Sequence, residues 1–180
     1  MRHGQYEEQT SGALTPLGRK QAAKTADALK RLEVEIVWTS TLLRAEQTAA
    51  IVIAKQKRAH LKRTDLLCEV VPTKLPRHVK LRIPVDAARV KDDRRRADQA
   101  FAKLFRAARS ENTEIVVCHG NLIRYFVCCA LGIERKLWMR LDSSHCGLTE
   151  FRVLPHGVVR VVRYNDVGHI PLEMRTDASP

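Results

Sequence analysis

Apolar positions along the chain fall into two alternating rhythms. Residues 14–32 (LTPLGRKQAAKTADALKRL) place Ala22, Ala26 and Leu29 at helical spacing, with Thr15 as N-cap and Pro16 as the first helical residue. A short apolar run, EIVW at 35–38, predicts a buried strand, and LLRAEQTAAIVIA at 42–54 a second helix. TDLLCEVV at 64–71 reads as extended, and residues 72–92, with Pro72, Pro76 and Pro84, as loop. RRADQAFAKLFRAAR at 95–109 predicts an amphipathic helix, EIVVC at 114–118 a second buried strand, and NLIRYFVCCAL at 121–131 a mostly buried helix. The runs 147–154 and 158–164 flank PHG and predict a hairpin. Alternating strands and helices imply an α/β fold: a mostly parallel sheet covered on both faces, with the hairpin as an antiparallel edge.

Composition narrows this picture. At 180 residues the chain is read as one domain spanning 1–180, large enough to bury a core without staples. No apolar run is long enough to span a bilayer, so no membrane association is expected. The first residues carry no signal-like pattern, and the five cysteines form no CxxC pair. These features predict a reduced, cytoplasmic protein without disulfides or a zinc site. The formal charge of +12 concentrates in 55–63, 77–82 and 89–96. Such runs read either as solvated faces or as a field for anionic partners. No aromatic residue interrupts them, which argues against a stacking platform for single-stranded nucleic acid.

Once the strands are placed, three positions stand out. His119 follows strand 114–118 directly, in CHGN, and precedes a helix. Arg44 lies in the first turn of the helix after strand 35–38, and Arg2 and His3 precede the first helix. In open α/β sheets, ligands bind at the carboxyl ends of strands, where helix N-termini offer N–H groups suited to phosphate. Each feature alone has an ordinary explanation: a solvated arginine, a hydrogen-bonded histidine after a strand. Gln5 and Thr15 read equally well as substrate contacts or as turn and cap residues. His145 (SSHCG) and His169 (DVGHIP) are read as structural, and Arg124, the lone charge on a buried helix, as paired internally.

The ordered set is more specific. RHG, LTPLGRKQA, RAEQT after a strand and VVCHGNLIRY occur in that order at domain-scale spacing. The set resembles the histidine phosphatase superfamily over nearly the whole chain. CHGNLIRYFVCCALG and YNDVGHIP are most similar to the branch of the mitochondrial serine/threonine protein phosphatase and its bacterial relatives. The resemblance implies a phosphoglycerate-mutase-like three-layer α/β/α sandwich. It implies His3 as the phosphate-accepting nucleophile, with Arg2, Gly4, Arg44 and His119 around the phosphate and His119 also catalytic. Glu69 matches the family's proton donor, although Val70 stands where a glycine often follows. The implied activity is hydrolysis of phosphate monoesters, with a phosphorylated protein side chain or small ester as substrate and no metal or other cofactor. The segment from 55 to 100 is shorter and more basic than the substrate lid of true mutases.

One departure matters. Family members enter RHG from an apolar strand, and here Met1 alone precedes Arg2. The expected fold therefore lacks the usual first strand. A truncated start, a rearranged or partner-filled sheet, and a degenerate site with His3 on a frayed terminus all fit. The last leads to the alternative of an inactive, polyanion- or protein-binding scaffold.

Overall fold

A computed structural model of the chain describes residues 1–76, 85–108 and 110–177. The elements follow as α1 (Pro16–Leu29), β1 (Ile36–Thr39), α2 (Leu43–Ile53), β2 (His60–Arg63), α3 (Ala87–Leu104), β3 (Glu114–Val117), α4 (Gly120–Leu131), β4 (Leu148–Val153) and β5 (Val159–Asp166). Strands β2, β1 and β3 pair in that order, all parallel, with Ile36 level with His60 and Glu114. The antiparallel hairpin β4–β5 is the predicted one.

The period-two alternation of the strands builds the layers. Val37, Ile115 and Val117 face Ala22 and Ala26 of α1 and Ala45, Ala49 and Val52 of α2. Trp38 and Val116 point the other way, toward Ala97 and Ala100 of α3 and Leu122, Ile123 and Phe126 of α4. The small residues on α1 and α2 let these helices lie close to the sheet. Phe101, Phe105 and Phe126 fill the opposite layer with ring centroids 4.4–5.9 Å apart.

Residues 1–3 enter this sheet as well. His3 N–H donates to the Cys118 carbonyl at 3.0 Å, Cys118 N–H to Met1 at 3.0 Å, and Arg2 forms a parallel bridge with Cys118. On the other side Cys146 N–H donates to His3 at 3.2 Å and Arg2 N–H to Gly147 at 3.3 Å. This segment makes one bridge rather than a full strand, yet it joins β3 to the hairpin and leaves His3 2% exposed. His3 is thus held on both edges, unlike the frayed terminus considered above.

Two elements differ from the sequence reading. The strand expected within 64–71 lies earlier, at His60–Arg63, and residues 65–67 form a 3-10 turn. β2 is an edge strand with three of its four residues exposed, so no apolar pattern marks it. The helix expected at 95–109 instead runs from Ala87 to Leu104. Asp86 caps it by accepting from Arg89 N–H at 2.8 Å. The charged turn within it is knitted by Arg95–Asp92 at 3.1 Å and Arg96–Asp93 at 2.7 Å. The basic run 77–82 and Pro84 lie outside the described residues.

Candidate active site

The carboxyl ends of the parallel strands converge as expected for an α/β sheet. Residue 3 leaves the N-terminal segment, Ser40 and Arg44 follow β1, Glu69 follows the turn after β2, and His119 caps α4 directly after β3. The structure therefore gathers Arg2, His3, Arg44, Glu69 and His119 at one edge.

His3 is fixed through both ring nitrogens. Nδ1 lies 2.8 Å from the Gly4 carbonyl, which can only accept, so Nδ1 carries the proton. Nε2 then holds a lone pair, and Arg44 Nε donates to it at 3.1 Å. The His119 ring lies 5.0 Å from the His3 ring, with its Nε2 2.9 Å from the Ser40 hydroxyl. The Arg2 guanidinium crosses behind, bonded to the Ser143 carbonyl and 3.0 Å from His145 Nε2. Among the described residues, two buried side-chain nitrogens have no partner: Arg2 Nε and His119 Nδ1. A buried polar atom without a partner costs on the order of 1–3 kcal/mol. Arg2 Nε, always a donor, therefore invites an anion, whereas the neutral His119 ring offers Nδ1–H to one only in the tautomer whose Nε2 accepts from Ser40.

The electrostatics are those of a buried, cationic cluster. Burial, then His119, Arg2 and Arg44, hold the His3 pKa well below 6.5, which keeps its imidazole neutral. Burial and the same two arginines act likewise on His119. Burial raises the Glu69 carboxyl above its ordinary 4.5, against the opposing pull of the Val70 N–H and of Arg2, Arg44 and Arg124. A raised carboxyl and a lowered histidine that feel the same two arginines suit the roles of an acid and a nucleophile.

Gly4 contributes a close approach. Its N–H donates to the Thr48 hydroxyl at 3.1 Å, and a Cβ there would lie 2.5 Å from the Gly18 carbonyl oxygen. Gln5 and Thr15 form scaffolding, the Thr15 hydroxyl donating to Gln5 Oε1 at 2.8 Å while it caps α1. Arg124 is held by the Leu141 carbonyl at 3.0 Å and by Asn121 Oδ1. His169 bonds the Thr25 hydroxyl at 2.9 Å, in keeping with a structural role.

His145, read from sequence as structural, lies at the site. Its ring is 5.7 Å from that of His3, it touches Arg2, and its Nδ1 is 2.9 Å from the Thr176 hydroxyl. Residues 174–177 fold back to make this contact, a long-range event that no local motif announces. Sequence reasoning also passed over Tyr6, whose ring packs edge-on to His3 at 5.1 Å and under the Arg44 guanidinium at 4.5 Å.

A sequence profile described as histidine phosphatase superfamily (branch 1) matches residues 1–74 and 75–167. The chain belongs to the histidine phosphatase superfamily. Within this superfamily it is 32% identical to the mitochondrial serine/threonine-protein phosphatase Pgam5 of Caenorhabditis elegans, over 95% of this chain and 63% of that protein. The chain thus spans just under two thirds of that relative. The phosphoglycerate mutase of Plasmodium falciparum superposes with a TM-score of 0.65 at 26% identity, covering 95% of this chain and 91% of that one. A mutant phosphoserine phosphatase of Entamoeba histolytica in complex with phosphoserine gives 0.70 at 21% identity, covering 94% and 96%, and supports the fold alone. The phosphoglycerate-mutase-like fold expected from the sequence is therefore the one observed. The cytoplasmic location is not: curated relatives are named as mitochondrial, which conflicts with it. Among the described residues no helix is long and apolar enough to cross a membrane.

Proposed function

We propose that this chain hydrolyses phosphate monoesters by transient transfer of the phosphoryl group to His3 Nε2. The observation that carries the reading is the lone pair on Nε2 in a pocket with two unpartnered nitrogens, Arg2 Nε and His119 Nδ1. A phosphate oxygen would satisfy Arg2 Nε, and another His119 Nδ1 in the tautomer protonated there. The arginine forks suit such oxygens, and their charge offsets the negative charge of the transferring group without a metal.

Arg44 occupies the lone pair that must attack. An incoming phosphate would draw the guanidinium onto its own oxygens, freeing Nε2 as the substrate arrives. In-line attack forms the N–P bond and breaks the P–O bond to the leaving group, which takes a proton from Glu69. Glu69, now ionised, removes a proton from the water that cleaves the phosphohistidine. This returns His3, protonated Glu69 and inorganic phosphate. The curated relatives' naming as serine/threonine-protein phosphatases favours a phosphorylated protein side chain, with small esters as the other class. The scaffold alternative draws its force from an unanchored His3, and the hydrogen bonds on both ring nitrogens weigh against it.

Hydrolysis of an aryl phosphate in excess chelator tests the reading. Turnover should persist with chelator and fall at least ~100–1,000-fold in His3→Ala. Equal turnover by a folded His3→Ala protein would overturn it.

A further inference from the structure

Glu69 lies in a stretch without regular secondary structure, yet side chains take up the backbone groups that follow it. The Glu69 carbonyl accepts from Arg96 Nη2 at 2.8 Å, and Val71 N–H donates to Asp93 Oδ2 at 2.8 Å. Between them, the Val70 carbonyl accepts from Asn121 Nδ2 at 2.9 Å, while Val70 N–H donates to Glu69 Oε1 at 3.1 Å. Arg96 Nη2 also reaches Asp93 Oδ1 at 2.7 Å. Two residues on adjacent turns of α3 are thus joined to each other and grip the segment at both ends. Asp93 is only 7% exposed, an unusual depth for a carboxylate on a helix this polar.

We infer that Asp93 and Arg96 are positioning residues for Glu69, fixing the direction from which its carboxyl reaches the leaving oxygen. The inference rests on the proton-donor role proposed for Glu69. A purely structural reading also exists, because buried backbone groups need partners wherever they occur. The two readings differ in what they predict for leaving groups. A misdirected proton donor slows expulsion of an alkoxide or phenoxide that needs a proton, and spares one that leaves unaided. General loss of structure slows both.

The test compares kcat/KM, which reports phosphoryl transfer to the enzyme, for phenyl phosphate and 2,4-dinitrophenyl phosphate. Asp93→Ala and Arg96→Leu should lower the phenyl phosphate value roughly 10–100-fold and the dinitrophenyl value less than about threefold. Arg96→Lys, which keeps a cationic donor at this position, should recover most of the loss relative to Arg96→Leu. It also keeps the test informative if Asp93→Ala does not fold. Glu69→Gln serves as reference and should show the same selectivity more strongly. Selective loss in Glu69→Gln with uniform loss, or none, at Asp93 and Arg96 would overturn the positioning role alone. Uniform loss in Glu69→Gln would overturn the proton-donor reading and this inference with it.

Discussion

At the scale of single residues, two groups of the site are moved in opposite directions. In the proposed mechanism His3 must be neutral to attack, and burial among cations holds its pKa well below 6.5. In the same proposal Glu69 must be protonated to assist departure, and burial raises its pKa above 4.5. The competent form therefore exists above the His3 pKa and below the Glu69 pKa. As pH rises through the Glu69 value, kcat/KM for phenyl phosphate should fall, and Glu69→Gln should remove that alkaline limb while lowering the plateau roughly 100-fold. A limb that survives the substitution would assign it to another group. Arg44 and His119 were legible because each lies within a few residues of a strand's end and a helix's start, and His3 because RHG opens the ordered set of motifs. His145 was not, since its place beside Arg2 depends on a contact with Thr176, 31 positions further along.

At the scale of elements, the first turn of α1 and the loop after His3 are built against each other. A Cβ on Gly18 would lie 1.9 Å from the Gln5 carbonyl oxygen, and the obstacle is backbone rather than a movable side chain. Gly18→Ala should cost about 1–3 kcal/mol in urea unfolding and lower kcat at least ~10-fold by displacing His3. Unchanged kcat would show that the loop tolerates the shift. α1, α2, α4 and the hairpin were readable because their apolar spacing is local, helped in α1 by the Thr15 cap. β2 was hidden: a charged edge strand gains its place from pairing with β1, not from burying apolar faces. α3 was misplaced for a related reason. Its first turns carry charges whose helical partners, at i+3 and i+4, matter only once the helix exists.

At the scale of the whole molecule, the site is a concentration of buried histidines in a basic protein. Burial and Arg2 push His145 down to about 3, and His3 and His119 are lowered too. Because each binds its proton more readily when unfolded, the folded state loses stability as pH falls below 6.5 toward about 3. Glu69, raised, acts in the opposite sense, but one carboxyl faces three imidazoles. The melting temperature should fall steeply across that window, and His145→Gln should flatten the slope. An unchanged slope would mean that His145 does not carry the effect. The basic run 89–96 is partly neutralised within α3, consistent with a solvated face.

The most direct test of His3 as nucleophile is to mix the protein with an aryl phosphate, quench in alkali within the first turnover, and map the adduct by peptide mass spectrometry. The expected result is a phosphoryl group on His3 that is lost on acid treatment and absent from His3→Ala. Sustained turnover with no adduct on His3, or with the phosphoryl group on another residue, would contradict it.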